Sequence, residues 1–419
     1  MKPKKIKAHS LTGRIDERLM RAAFKAVKRN RGAAGVDKVS VDMFAANLEE
    51  NLAALMRDLK TGNFRPRPLR RVHIPKGPGT KKTRPLGIPI VRDRVAQEVV
   101  RRLLNPIFEP LFHESSFGFI QDRNCHMAIE QVLEFHGLGL KTVLDADIKG
   151  FFDNIPHDVI MKAVAAEVAD GNILRLVERF LTAGVMEDGV FKPTNIGTPQ
   201  GGVISPLLAN IVLNHLDWTL DNAGYRFARY ADDFVVVTQT RQQAQEALTL
   251  VTHTLEQELG LSLSPEKTHI TTYGKGYEFL GFVLSSRSRR MRDKSVQKLK
   301  SKIRELTVRK TNLDADVIKK LNAVVRGTAR YFAPPFATSR WQFQKLDSWI
   351  RMRIRSMKLK RKNYNDNRKL KLGYFRRKIC LLSLEEFCVT LDAHGRPHHV
   401  TPRHGATSSG SPGERSSRR

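Results

Sequence analysis

RYADDFVVV, residues 229–237, is the stretch on which the fold turns. Two extended apolar runs between Phe227 and Thr238 flank Ala231-Asp232-Asp233, which predicts a hairpin with two adjacent carboxylates at its tip. Asp-Asp taken alone is an ordinary turn, because Asp favours turns. The apolar flanks change this, since they bury the base of the turn and hold the acids on a rigid scaffold. A second stretch, VLDADIKGFFDNI at 143–155, predicts a short strand over Thr142 to Ile148 that closes on Asp147. A carboxylate ending a buried strand is costly unless something cationic neutralises it. If the two strands are neighbours, Asp147 and Asp232 meet across a sheet. Carboxylates so placed prefer Mg²⁺, a hard cation held by one or two acids and substrate phosphates. A pair of such ions could activate a hydroxyl and stabilise a departing pyrophosphate, and phosphoryl transfer asks little more of a protein than positioning and charge.

Outward from these strands, residues 14–60 predict two helices around a Gly-rich break at Gly32 to Gly35. Residues 64–92 read as strands broken by Pro and Gly, with a basic loop, KGPGTKKTR, at 76–84. It carries Lys76, Lys81, Lys82 and Arg84 but lacks the P-loop order. A hairpin closing on a triphosphate and a merely solvated loop are both open readings. A helix is predicted from Val91 to Leu104. GTPQGGVISPLLAN at 197–210 is a Gly-rich bend opening a helix, with Ser205 as cap and Pro206 as first helical residue. Gln200 in that bend could hydrogen-bond a sugar or base. Phe152, five residues past Asp147, could stack beneath a nucleotide sugar or could be a core residue. Gln242 to Leu259 predicts a helix and Tyr277 to Leu284 a strand.

The 419 residues carry a formal charge of +31, and it is unevenly spread. Residues 287–378 hold 30 Lys/Arg against 6 Asp/Glu, while the other 327 residues hold 43 against 36. A near-neutral body therefore bears one strongly basic module, which favours a polyanion partner and salt-sensitive binding. Three helices are predicted there. Val296, Leu299, Ile303 and Leu306 mark the first, and Val317, Leu321, Val325 and Phe332 the second. Leu346, Trp349 or Ile350, Arg353 and Met357 mark the third. Three cysteines without a CxxC pair exclude a disulfide framework or cysteine zinc site and suggest a reducing compartment. No apolar run approaches the length of a membrane span, and no secretory signal opens the sequence. The expected setting is intracellular.

The order of the segments has a counterpart. IPKG…TRPLGIPIVRDRV, FEPLFHESSFGF, DADIKGFFDNIPHD, GTPQGGVISPLLANIVLNHLD, RYADDFVVV, LSLSPEKT and YEFLGF follow one another along the chain. This resembles the reverse transcriptases encoded by group II introns, with their downstream maturase region, over about residues 20–360. The resemblance implies an α+β right-hand polymerase with fingers, an antiparallel-sheet palm and a helical thumb. Its domains would be fingers and palm over 1–285 and a basic helical thumb/maturase domain over 286–362. A basic, candidate DNA-binding extension would follow over 363–394, and a disordered tail over 395–419.

It further implies that Asp147, Asp232 and Asp233 are the metal-binding carboxylates, holding two Mg²⁺ ions with the backbone of Ile148. Arg84, with Lys76 as its partner, would contact the incoming triphosphate. Phe152 would be the gate that favours deoxynucleotides, Gln200 a nucleotide-pocket residue and Lys267 a proton donor to pyrophosphate. Partners would be an RNA template, a DNA primer and dNTPs, then group II intron RNA and a DNA target.

Two segments depart from the family pattern: GFIQDRNCHMA at 118–128 and LNAVVRGTARYF at 321–332. No Cys/His cluster follows the basic module, so an HNH-type endonuclease is not expected. The function implied is RNA-directed DNA synthesis with RNA-binding maturase activity in intron splicing and mobility. Alternatives are a group-II-like enzyme recruited for host defence or repair, and a catalytically silent RNA-binding splicing factor. A basic structural protein of the ribosomal type is a third reading, and it would need no ordered acidic triad.

Overall fold

The computed structural model describes residues 7–75, 77, 83–363, 365–391 and 397–399. These form two compact units, one reaching Leu280 and including Leu284–Ser286, the other comprising Gly281–Val283 and the chain from Arg287 on.

The first unit begins with α1 (Glu17–Arg29), capped by the Asp16 side chain, which accepts from the Leu19 amide. It buries Met20, Ala23, Phe24 and Val27, one stripe at helical spacing. Two further helices follow, α2 (Val41–Ala46) and α3 (Leu48–Thr61). Three helices form where two were expected, because Asn47 leaves helical geometry between Ala46 and Leu48. Strands β1 (Leu69–Pro75) and β2 (Thr83–Ile88) pair antiparallel, with Ile74 opposite Arg84. Arg84 therefore stands in a strand rather than in the basic loop, because the β1–β2 ladder reaches Pro75 and Thr83. Lys76, Lys81 and Lys82 lie outside the described residues.

Helix α4 (Val91–Phe108) runs past the expected end at Leu104 and contains Pro106. Burial of Leu103, Leu104 and Phe108 outweighs the lost donor at the proline. After α5 (Cys125–Gly137), β3 (Thr142–Asp147) is followed by α6 (Phe151–Asn154), α7 (His157–Glu167) and α8 (Gly171–Leu181). Strand β4 (Val185–Glu187) then joins β1 in parallel and pairs with β5 (Val190–Lys192), so the first sheet runs β2-β1-β4-β5.

Helix α9 (Ser205–Asn222) leads into the hairpin β6 (Arg226–Tyr230) and β7 (Asp233–Thr238). Helix α10 (Arg241–His253) and β8 (His269–Thr272) complete the unit. Ser205 is not the cap of α9. Ile204 holds that position, and Ser205 Oγ instead donates to the Pro199 carbonyl and accepts from Thr198 Oγ1, which ties the helix to the preceding bend.

The second sheet has the order β6-β7-β3-β8, every pairing antiparallel. Leu144 and Ala146 lie opposite Val236 and Phe234 and enter the main hydrophobic core. Val143 and Val235, on alternate positions, are buried as well. Both faces are thus covered, with α5, α9 and α10 packed on the sheet, which is why β3 and β7 read as nearly continuous apolar runs. Tyr277 to Leu284, expected as one strand, forms two, Tyr277–Phe279 and Phe282–Leu284. Leu280 and Gly281 both take left-handed φ and break it.

In the second unit α11 (Asp293–Leu306), α12 (Ala315–Phe332) and α13 (Arg340–Lys358) bury Leu299, Ile303, Leu321, Val325, Leu346 and Ile350 among others. Ile350 is buried in this core, and Trp349, partly buried, packs against it. Arg353 donates to the Thr307 carbonyl and Arg355 to the Leu370 carbonyl, while most lysines of these helices are exposed. Lys300 and Arg304 stack over Trp349, and Lys345 sits 3.5 Å over the exposed ring of Trp341. Within the segment expected to be disordered from 395, Pro397–His399 pair antiparallel with Val389–Leu391. The rest of the expected tail lies outside the described residues. Among those described, no helix is long and apolar enough to cross a membrane.

Candidate active site

The register of the second sheet decides what faces what. Asp147, last in β3, lies directly opposite Asp233, first in β7. Tyr230 also pairs with Asp233, leaving only Ala231 and Asp232 as the loop of the hairpin. Ala231 takes φ +60°, the left-handed conformation that so tight a turn demands. The three acids, far apart along the chain, therefore stand at one end of one sheet.

A fourth charged group is delivered by a separate turn. The Ser264 amide donates to the Asp147 carbonyl at 2.8 Å, and the amides of Lys267 and Thr268 return to the Ser264 carbonyl. The chain reverses there, and Lys267 Nζ reaches Asp147 Oδ2 at 2.7 Å. Ile148, buried, bridges to Leu263 beside this turn.

Arg84, Phe152 and Gln200 come from three other segments joined by backbone hydrogen bonds. The Gly87 amide of β2 donates to the Gln200 carbonyl at 2.7 Å, and the Thr198 amide to the Phe152 carbonyl at 2.7 Å. Gly201, at φ +108°, lets the bend lie against β2: a Cβ there would stand 2.5 Å from the Gly87 carbonyl oxygen. Gln200 Nε2 donates to Asp153 Oδ2 at 3.2 Å. Phe152 is half-buried, edge-on to Phe151, and packs against the main core. Its other surroundings form a cavity of 310 Å³ shared with Arg71, His73, Pro85 and Thr198. Phe152 is thus part core and part cavity wall.

Burial pushes the Asp232 carboxyl above its usual range, and the neighbouring charge of Asp147 adds to this, while Arg84 and Lys267 oppose it. Asp145, two residues before Asp147, is pushed up to about 6, mainly by burial, with His269 opposing. Burial is the main cause of both shifts, and Lys267 brings a positive charge to this end of the sheet. Among the described residues no group of three or more His, Cys, Asp or Glu side chains is drawn close enough to hold a metal. The side chains of Asp147, Asp232 and Asp233 are nevertheless oxygen donors, the ligand type that a hard cation such as Mg²⁺ takes.

The sequence reading missed what lies beneath the turn. Arg229 is fully buried and forks onto Asp217, with Nε to Oδ1 at 2.7 Å and Nη2 to Oδ2 at 2.5 Å. Its Nη1 donates to Asn210 Oδ1 and to the Ala231 carbonyl, each at 3.0 Å. Asn210 Nδ2 in turn donates to the Gly118 carbonyl at 2.7 Å. Gly118 lies so close that a Cβ on it would stand 2.4 Å from the Ala231 nitrogen. A signal was present, since Asn210, Asn214 and Asp217 form a polar stripe at helical spacing on a helix rich in Leu, Ile and Val. Asn214 uses its place in the stripe to bond the His113 amide and the Leu111 carbonyl.

Residues 74–284, half of the chain, match the family model described as reverse transcriptase (RNA-dependent DNA polymerase). Residues 296–375 match the group II intron, maturase-specific domain. Protein YkfC of Escherichia coli (strain K12) is 35% identical over 294 residues, 61% of this chain and 77% of that protein. The group II intron-encoded protein LtrA of Lactococcus lactis subsp. cremoris is 35% identical over 236 residues, 56% of this chain. The match spans only 38% of LtrA's length. Among solved structures, telomerase from Candida albicans in complex with a TWJ fragment of telomeric RNA aligns with a TM-score of 0.43 at 14% identity, over 79% of this chain and 65% of that one.

Proposed function

Since this chain belongs to the reverse transcriptases and carries a group II intron maturase-specific domain, we propose that it copies RNA into DNA at the acidic end of its second sheet. The observation that carries this reading is the register that sets Asp147 opposite Asp233, with Asp232 in the two-residue turn beside them. Asp147, Asp232, Asp233 and the carbonyl of Ile148 would hold two Mg²⁺ ions. Bound there, the ions would supply charge stabilisation for the transferring phosphoryl group and help to activate the primer hydroxyl.

The remaining residues position and neutralise. Arg84, with Lys76 as its partner, meets the triphosphate. Phe152 bears on the sugar and leaves no room for a 2′-hydroxyl. Gln200, held between Asp153 and β2, fixes the pocket wall. Lys267 Nζ, paired with Asp147 in the free protein, turns to the departing pyrophosphate and gives it a proton.

Residues 286–362 are read as the thumb and maturase domain and the residues after them as a basic, DNA-contacting extension, the maturase-specific match itself running on to residue 375. Its charged faces and its Lys345–Trp341 stack suit an RNA–DNA duplex and structured intron RNA. Splicing and mobility of a group II intron, with intron RNA and a DNA target as partners, belong to this reading. Primer extension on an RNA template tests its polymerase half. Labelled DNA should appear with wild type and be lost in the double variant Asp232→Asn, Asp233→Asn. No product from wild type, or full activity in the variant, would refute it.

A further inference from the structure

We propose that Arg229 is a positioning residue for the acidic turn, acting through the Ala231 carbonyl, and that Asn210 and Asp217 hold it in place. The inference rests on the reading of Asp232 and Asp233 as the metal-binding acids.

The geometry makes one guanidinium the junction of helix α9 and the acidic turn. Its Nε and Nη2 are spent on Asp217 of α9, which fixes the plane of the fork. Its Nη1 then points to one place, shared by Asn210 and the carbonyl of Ala231. Ala231 is the residue in left-handed conformation between Tyr230 and Asp232. An alanine does not hold that conformation unaided, because its Cβ crowds the following carbonyl. Gly118, on which a Cβ would stand 2.4 Å from the Ala231 nitrogen, crowds the Tyr230–Ala231 peptide, while the hydrogen bond to the Ala231 carbonyl oxygen restrains the plane of the Ala231–Asp232 peptide. Rotation of that plane would swing the carboxylate of Asp232 away from Asp147. Asn210 completes the clamp by bonding Arg229 with its oxygen and Gly118 with its nitrogen, so both sides of the turn hang on one side chain.

Lysine at 229 would keep the charge opposite Asp217 but cannot fork, and one ammonium cannot meet Asp217, Asn210 and Ala231 together. The test uses the full chain with Mn²⁺ alone as the probe, read by the paramagnetic resonance of free ion. Primer extension and thermal unfolding are run beside it. Arg229→Lys should bind Mn²⁺ about 10-fold more weakly and lose about 100-fold in kcat, the scale of a small misplacement of reacting groups. The KM for dNTP should stay at the wild-type value. Asn210→Ala, which leaves the Arg229–Asp217 pair intact, should change Mn²⁺ binding and kcat in the same direction.

Wild-type Mn²⁺ affinity and kcat in a folded variant, with only the melting temperature lowered, would overturn the proposal. Loss of fold in both variants would assign the clamp to the core and overturn it too. Asp232→Asn separates the two readings. If that change leaves Mn²⁺ binding intact, the assignment of the acids fails. If it abolishes binding while Arg229→Lys does not, the clamp alone fails.

Discussion

A single methyl group at position 201 should disturb nucleotide handling more than any comparable change near the site. Gly201 takes φ +108°, and a Cβ there would meet the Gly87 carbonyl oxygen at 2.5 Å and Leu86 Cδ1 at 2.9 Å, against a floor of 3.0 Å for real contacts. The bend must therefore retreat from β2 by about half an ångström. That retreat opposes the 2.7 Å hydrogen bond from the Gly87 amide to the Gln200 carbonyl. The conformational strain is worth about 1–3 kcal/mol, and weakening one backbone bond about 1 kcal/mol. Gly201→Ala should thus lower stability by about 2–4 kcal/mol. Gln200 moves with the bend, and Phe152 follows through the Thr198–Phe152 bond. We expect the KM for dNTP to rise about 10-fold and kcat to fall by up to about 100-fold, measured by single-nucleotide incorporation beside urea unfolding. Gly189→Ala is the control, since that glycine also has a left-handed φ but nothing within 4 Å of its added Cβ; it should lose stability and keep the wild-type KM. A Gly201→Ala protein with wild-type KM, kcat and unfolding midpoint would refute the argument.

Three more outcomes are expected. Phe152→Ala opens the space beside the cavity at Pro85 and Thr198, so discrimination against ribonucleotides should relax; an unchanged ratio of dNTP to rNTP incorporation removes the gate. Binding to an RNA–DNA duplex should weaken by about 10³-fold or more between 50 and 200 mM salt if some six or more phosphates are neutralised, and a flat titration would contradict the charge argument for the basic helices. Burial pushes Asp93 up to about 7, although the Arg67 amide donates to its Oδ2 at 2.7 Å. The folded protein therefore keeps a proton that the unfolded chain releases near pH 4, and stability should fall as pH rises between these values, by up to about 1.4 kcal/mol per unit. Asp145, pushed up to about 6, acts in the same direction. Asp93→Asn should flatten that slope in urea midpoints taken at pH 5, 6 and 7; an unaltered slope would acquit Asp93.

The acidic pair and its partner strand were legible because their chemistry is local. An apolar run that stops at a carboxylate and a hairpin tipped by two more need no tertiary knowledge to be seen. The register that sets Asp147 against Asp233 was only conditional, since nothing in the sequence says which strands are neighbours. Arg229 escaped notice because an arginine before a turn reads as a surface residue until its partner, twelve positions earlier on a different element, is known. Ser205 carried a cap signal, and tertiary bonding to Thr198 and Pro199 overrode it. Leu280 and Gly281 broke a predicted strand because left-handed φ at Leu280, a residue that seldom adopts it, has no mark in the sequence. Arg84 was assigned to a loop by composition, while the ladder with Ile74 made it part of a strand.

The strand order β6-β7-β3-β8 has a bearing on biosynthesis. The strand bearing Asp147 leaves the ribosome well before either of its neighbours, and the second of them ends at Thr272. Until Thr238 is made that strand has both edges unsatisfied, and until Thr272 it has one, the kind of segment that chaperones shield and that recruits other incomplete chains. Truncation anywhere between Asp147 and Thr272 would therefore yield a product prone to aggregate rather than a partly active fragment.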